Sequence, residues 1–426
     1  MIKNLKLGYS KKTCRLCKSK KLKKFLDLGL QPPSDQFIKK KNLNDFKIFY
    51  PLEVNNCMKC GFKQLSYVVN KTILYQDDYP YESSLTKAGE NHFYEFAKSV
   101  IDKYKFKKKD LVIDIGSNVG VLLKNFKKFS LNTLGVDPAK NICQIANKRG
   151  IKTFNSFFDK NIVKKIFKTY GSAKIITGTN VFAHIDDLDE FFRNINYIID
   201  KKKGILIIEV PYFLNLFKNF EYDTIYHEHL SYITIEPFIK YLKKYNLEII
   251  DILKRDIHGG SIRIFISKKN NYSKDKSVNF FLNREKGSKI NNIKELDIFA
   301  KNVKQNRLKL IDYLTKLKLQ NKKVIALSTP AKGMTLLNYC KLDKDYLNFA
   351  TDKSKLKINK YTPGGLIKVF SDKAIKSKKP DYAILLAWNF AKEIIRNNKN
   401  FIKNGGKLII PIPKLKIISK KNLNEY

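Results

Sequence analysis

The sequence predicts an α/β fold. A parallel, doubly wound sheet occupies the middle of the chain, with a small metal-stapled unit before it and a second, smaller α/β unit after it. Three observations carry this expectation. Short apolar runs rich in β-branched residues alternate with helical stretches over residues 105–269 and again over 322–413. The run DLVIDIGSNVG at 110–120 sets a glycine turn directly after the first of these strands. Four of the six cysteines form two CxxC pairs. The expected boundaries are 1–75, 76–285 and 286–426.

In the first unit, Cys14/Cys17 and Cys57/Cys60 stand 39 residues apart, a wider gap than a zinc ribbon normally has. Two such knuckles still supply four thiolates for a tetrahedral Zn²⁺, and in a reducing compartment CxxC pairs favour metal over disulfide. Lys18 and Gly61, just after each pair, suit the tight turn that aims backbone N–H groups at sulfur. The bland reading is four free thiols. A zinc closed by four ligands is structural, so no chemistry is expected from it. Between the pairs, LDLGLQPPSDQF reads as an extended loop.

Residues 76–100 hold Tyr79-Pro80-Tyr81, a fixed extended turn, and Ser83 and Ser84 as candidate caps of the next helix. Their tyrosines either lie over the central site or pack between units. Strands are expected at 110–115, 131–136, 151–154, 173–179, 204–210, 247–255 and 261–267. Helices are expected at 119–129, 138–149, 158–169, 187–200 and 235–245. The last two strands, joined by a short HGG turn, close the sheet as an antiparallel hairpin. A helical stripe over 285–320 connects the units. Five further strands then alternate with helices at Ala331–Tyr339 and 389–403, and the basic tail at 414–426 is expected to fray.

The net charge is +45, but only eight of the 84 basic residues are Arg, and the Lys residues are spread along the chain. Arg is the residue of bidentate phosphate and base recognition. A solvated surface therefore accounts for this charge better than nucleic-acid binding does. No apolar run approaches the length of a membrane span, and no apolar leader is visible at the N-terminus. The expected setting is cytoplasmic, with no membrane partner.

The glycine turn departs from the GxGxxG of a dinucleotide site. Asp114 lies at the strand end, Gly116 and Gly120 permit the turn, and Asn118 replaces the middle glycine. A carboxylate here repels a pyrophosphate and suits a cationic amino-acid ligand. Asp137, at the tip of the next strand, stands where doubly wound folds hold a ribose. The pattern resembles motif I of the class I S-adenosylmethionine (SAM) methyltransferases. That resemblance implies SAM as cofactor, a seven-stranded Rossmann-like sheet, and Asp137 on the ribose. Asn180 joins Asp114, Gly116, Asn118, Gly120 and Asp137 as a cofactor candidate. A nucleotide-phosphate turn and a purely structural one are the alternatives.

Histidine is rare, with five in the chain, yet two fall in Tyr226-His227-Glu228-His229. This run and His184 both follow central strands, so they fall at the ligand-binding edge of the sheet. An acid/base group suits an imidazole there. A metal site or plain loop histidines are the competing readings for the first run, and a cap or core histidine is the competing reading for His184.

CxxC…CxxC, YPYESS, DIGSNVG, NVFAHI, EVPY, YHEH, HGGSIR, KYTPGG and AWNFAKEI occur in an order that resembles the sugar C-methyltransferases of deoxysugar biosynthesis. The resemblance spans nearly the whole chain. It implies a zinc-binding N-terminal domain, a central SAM domain and a C-terminal Rossmann-like domain that takes a nucleotide-linked keto-sugar. It further implies methylation at C3 of a 4-keto hexose, with His229 as base and Tyr226, Glu228, His184 and Tyr79 as its companions, Tyr81 being the alternate to Tyr79. Nucleotide-sugar contacts are implied for Lys332, Asp352, Lys357, Tyr361 and Asn389, with Pro363 and Gly364 beside them. Tyr81 is a further substrate candidate. Arg263 at the hairpin is either a phosphate ligand or a strand-edge charge. Gly365 and Asn359 depart from the family pattern. An O- or N-methyltransferase is the alternative enzyme class, and a zinc-ribbon RNA methyltransferase or RNA-binding protein is the third reading. Oligomeric state is not legible.

Overall fold

A computed structural model describes residues 7–75, 79–80, 82–83, 87–255 and 259–425. Tyr81, Ser84 and His258 lie outside them. Among the described residues, no helix is long and apolar enough to cross a membrane.

The central sheet has seven strands: Leu111–Ile115, Asn132–Asp137, Thr153–Asn155, Ile175–Thr179, Ile205–Pro211, Leu247–Arg255 and Ser261–Lys268. Numbered along the chain, they lie in the order six-seven-five-four-one-two-three. Only the seventh runs against the rest, pairing antiparallel with both the fifth and the sixth. The strand order therefore reverses between the first and fourth strands, and the loops leaving them, 116–120 and 180–184, open the crevice where such sheets bind ligands. The first strand is buried at every position, as its unbroken apolar run with one Asp requires.

The N-terminal unit is a four-stranded antiparallel sheet for which no strand is expected from sequence, and the LDLGLQ part of the stretch expected to be a loop is the end of its strand Leu22–Gln31. Leu22–Gln31, Tyr50–Cys57 and Lys63–Leu65 pair in turn, and Ser231–Tyr232, just after the HEH run, completes the sheet. Ser231 faces Gln64 and Tyr232 faces Lys63, and the Leu65 N–H donates to the Leu230 carbonyl. Two residues are too few to show strand periodicity, so this pairing left no signal in the sequence.

The helix Ile293–Leu319 buries Leu296, Phe299, Val303, Asn306, Leu310, Leu314 and Leu317 along one face. Asn306, a polar residue on that stripe, accepts from the Tyr222 hydroxyl at 2.7 Å and donates to the Pro411 carbonyl at 3.1 Å. The helix thus ties central and C-terminal parts of the chain together. One contiguous apolar cluster runs through all three parts, from Phe62 through Phe213 and Phe299 to Leu336.

The C-terminal sheet has six strands, Val324–Leu327, Ala350–Asp352, Val369–Ser371, Tyr382–Leu385, Lys407–Ile410 and Lys416–Ile418, in the order three-two-one-four-five-six. This is the doubly wound order with a reversal between its first and fourth strands. Two expectations need correcting here. The tail does not fray, because Lys416–Ile418 pairs antiparallel with Lys407–Ile410 and buries Ile418 and Leu423. The single helix expected at 389–403 is two, Ala391–Asn397 and Lys399–Lys403, broken at Asn398.

Candidate functional site

The four cysteine sulfurs converge. All lie within 4.8 Å of one another, with Cys14 and Cys60 3.6 Å apart and Cys17 and Cys57 3.5 Å apart. Zn–S bonds of about 2.3 Å place tetrahedral sulfurs about 3.8 Å apart, so the four thiols fit Zn²⁺. Lys18 and Gly61 both take positive φ, and their N–H groups close the two knuckles onto the carbonyls of Cys14 and Cys57.

The first knuckle also grips the loop that bears His184. Asp186, two residues on, takes Arg15 at 3.2 Å and Lys11 at 3.0 Å and accepts from the Tyr9 hydroxyl. With Ser231–Tyr232 in its sheet, the zinc unit holds the chain on both sides of the candidate catalytic pair.

At the glycine turn, Gly116 has φ +64°, and a Cβ there would stand 2.2 Å from Val181 Cγ2. The backbone therefore passes between the two crevice loops with no room for a side chain. Asn118, also at positive φ, donates its N–H to Asp137 Oδ2 at 3.0 Å, and Ala139 N–H donates to Oδ1 at 2.9 Å. Each carboxylate oxygen keeps a second lone-pair direction, toward which ribose hydroxyls can donate. Asp114 is buried and accepts from the Thr177 hydroxyl at 2.7 Å. Burial pushes its carboxyl up to about 7, and a cationic ligand group would draw it back down. The Asn180 side-chain oxygen is shielded from water and has no hydrogen-bond partner among the described residues. These features fit an amino-acid-bearing nucleoside such as SAM.

Four rings stack beside this turn. Tyr226 and His229 have centroids 4.0 Å apart, His229 and His184 5.3 Å, and His184 and Tyr75 6.2 Å, all with interplanar angles of 26–33°. His229 Nδ1 lies 2.7 Å from the Thr224 carbonyl oxygen. A carbonyl only accepts, so Nδ1 carries the hydrogen and Nε2 of the neutral ring carries the lone pair. His184 Nε2 is shielded from water without a hydrogen-bond partner among the described residues. Burial, then His229, holds its pKa well below the usual histidine range, so the ring is neutral. Glu228 is 2% exposed with neither carboxyl oxygen bonded among the described residues. Burial, with Asp35 adding to it, pushes it up to about 8.

His227, given no role from sequence, packs edge-on against Tyr50 of the zinc unit at 5.9 Å. Tyr79 is offset from the stack: it packs with Val119 and Ala139 beside the glycine turn and meets Tyr75 at 5.9 Å. Tyr75, which the sequence reading passed over, is the tyrosine that lies on His184. Its position at the end of the short helix Lys71–Leu74 offered no motif to single it out.

Asp352 and Lys357 converge on one loop. Asp352 accepts from the Thr329 N–H at 2.9 Å and its hydroxyl at 2.5 Å, and Lys357 donates to the Thr329 carbonyl at 2.7 Å. Tyr361 pairs its backbone with Ile38 of the zinc unit. Thr329 lies in the loop leaving Val324–Leu327, three residues before Lys332, and Asn389 follows the neighbouring strand Tyr382–Leu385, so these residues share the reversal point of the C-terminal sheet. Arg263 is not among them. It is 1% exposed, bonded to Glu209 at 2.7–2.8 Å and stacked on Phe96 at 3.5 Å. That is the setting of an internal ion pair, completed by His92 on Glu209. It is not a strand-edge charge, and its Nη1 is shielded from water without a hydrogen-bond partner among the described residues.

Three family models match the chain: a zinc binding domain over residues 14–75, a methyltransferase domain over 90–252 and a C-methyltransferase C-terminal domain over 256–413. The C-methyltransferase NovU of Streptomyces niveus is 30% identical over 410 residues, covering 96% of this chain and 97% of that one. Among solved structures, an S-adenosylmethionine-dependent methyltransferase of Clostridium acetobutylicum is 16% identical, covering 42% of this chain and 92% of that one at a TM-score of 0.35. The magnesium protoporphyrin IX methyltransferase of Synechocystis is 13% identical, covering 42% and 83% at 0.34.

Proposed function

This chain belongs to the C-methyltransferase family, and from that premise we propose that it methylates a carbon next to the carbonyl of a nucleotide-linked keto-sugar, at C3 of a 4-keto hexose. It is a SAM-dependent methyltransferase with a zinc-binding N-terminal domain. The observation that carries the reading is the His229–Thr224 contact beside a His184 whose Nε2 has no hydrogen-bond partner among the described residues.

A proton alpha to a ketone leaves only if a base takes it while a donor holds the developing oxyanion. His229 Nε2 is the base in this reading, because Nδ1 is committed to the Thr224 carbonyl. That carbonyl also stabilises the imidazolium once the proton has arrived. Neutral His184, or a tyrosine hydroxyl beside it, donates to the oxyanion. Glu228, un-ionised at neutral pH, adds no second negative charge against the enolate. The cofactor, when bound at the glycine turn, supplies an electrophilic methyl group. Closed in by three units, the site excludes the water that would compete for that methyl. The three-part construction also supports 1–75, 76–285 and 286–426 as the working units, the last carrying the nucleotide through Lys332, Asp352, Lys357, Tyr361 and Asn389.

The protein incubated with SAM and a panel of nucleotide 4-keto-hexoses should yield a product heavier by one methylene. The same mixture in D₂O without SAM should exchange deuterium into the position to be methylated. Methyl transfer without exchange would point to an oxygen or nitrogen acceptor and overturn the reading.

A further inference from the structure

The strands Val324–Leu327 and Tyr382–Leu385 are the neighbours at which the C-terminal sheet reverses its order, so the loops leaving them frame its ligand crevice. Lys332 opens the helix Ala331–Tyr339 that follows the first loop, and Trp388 and Asn389 lie in the turn Trp388–Phe390 that ends the second. The turn Tyr222–Thr224 of the central unit meets them. Asp223 is wholly buried in that turn, and its Oδ2 accepts from Trp388 Nε1 at 2.7 Å. The Lys332 ammonium lies 4.1 Å from the centroid of the same indole. The only tryptophan of the chain thus holds a carboxylate at its N–H and an ammonium over its face.

Neither charge is complete. Asp223 Oδ1 and Lys332 Nζ are shielded from water and have no hydrogen-bond partner among the described residues, and the same holds for Asn389 Oδ1. Burial pushes the Asp223 carboxyl up and the Lys332 ammonium down, and each opposes that shift in the other through space without closing into an ion pair. A buried ammonium needs an acceptor and a buried carboxylate oxygen needs a donor. A phosphate would answer Lys332 but be repelled by Asp223 and by Glu221, which also faces the lysine. An amine would answer Asp223 but not Lys332. A hydroxyl answers both, accepting from one and donating to the other.

We infer that Asp223 and Lys332 clamp one hydroxyl of the substrate, on its ribose or its hexose, across the seam between the central and C-terminal units, with Asn389 Oδ1 accepting from a second. The inference rests on the nucleotide-sugar reading of the C-terminal unit. It also connects substrate capture to the base, because Asp223 is followed in the chain by Thr224, whose carbonyl sets the His229 tautomer.

Calorimetric titration of the full chain with UDP, dTDP, UDP-glucose and dTDP-glucose tests the clamp, with S-adenosylhomocysteine (SAH) binding as the fold control. Asp223→Asn and Lys332→Met should each weaken nucleotide-sugar binding about ten-fold and leave SAH affinity unchanged. The double variant should lose little more than either single one. Weakening that extends to the free nucleotides assigns the hydroxyl to ribose, and weakening confined to the nucleotide-sugars assigns it to the hexose. Unchanged affinities in both variants mean that the two groups hold only a water, and fully additive losses mean two separate contacts. Either result overturns the clamp alone. Failure of the unaltered protein to bind any of the four ligands while binding SAH overturns the reading of the C-terminal unit, and the clamp with it.

Discussion

His229 Nδ1 sits 2.7 Å from the Thr224 carbonyl oxygen, five residues away in the chain and buried with it. A backbone acceptor cannot be titrated away, so the tautomer is fixed throughout the working pH range, and the basic nitrogen is Nε2. His229→Asn should lower turnover by about 10³-fold, within the range of a general base. SAH affinity should stay within about two-fold of wild type. A variant that loses SAH binding as well would show that His229 shapes the cofactor pocket instead.

The glycine turn gives a sharper steric test. Gly116→Ala drives a Cβ to 2.2 Å from Val181 Cγ2 at a φ of +64°. SAH affinity should fall at least about ten-fold, since clash and left-handed strain act together. Adding Val181→Ala should recover part of that loss. No recovery would mean that strain alone, or a different contact, sets the requirement for glycine.

Asp137 orders the turn from the other side through the Asn118 and Ala139 N–H groups. Asp137→Ala should weaken SAH binding about ten- to hundred-fold, the range for hydrogen bonds to a charged group. Titration calorimetry with SAH reads this directly, and an unchanged affinity would remove Asp137 from the ribose.

Glu228 imposes a pH signature on stability. Burial holds its folded carboxyl up to about 8, whereas in the unfolded chain it ionises near its ordinary value of about 4.3. Between those values the folded state carries the extra proton. Its contribution to stability is therefore whole below about pH 4.3 and declines as pH rises toward about 8. Glu228→Gln cannot ionise, so its Tm should gain on wild type between about pH 6 and about pH 8. A constant Tm offset across that interval would show that the carboxyl is ionised throughout.

Zinc removal should reach the catalytic loop. Ser231–Tyr232 belongs to the zinc unit's sheet, and Arg15 of the first knuckle grips Asp186 beside His184. Cys57→Ser should release zinc and also raise amide exchange at residues 230–232 in hydrogen–deuterium mass spectrometry. Lost zinc with unchanged protection there would mean that the sheet stands without its metal.

Much of this molecule was legible in one dimension. CxxC spacing, a β-branched run ending in a glycine turn, and an acid at the next strand tip are local patterns, because knuckles and βα turns are built from adjacent residues. The histidines of NVFAHI and YHEH were legible for a related reason: both follow strands whose ends must share one edge. Arg263 was misread because the same position in the strand serves a surface charge or an internal ion pair, and only the Glu209 facing it across the sheet distinguishes them.

The sequence by itself determined two doubly wound sheets, a four-thiolate site and a cofactor turn, since each follows from periodicity and spacing along the chain. Only the tertiary structure decided that Ser231–Tyr232 would join the zinc unit's sheet, that Tyr75 rather than Tyr79 would lie on His184, and that Asp223 and Lys332 would share one indole. These are contacts between segments far apart in the chain. They arise where separately patterned units bury their remaining apolar faces against one another, and such docking leaves no period in the residues it joins.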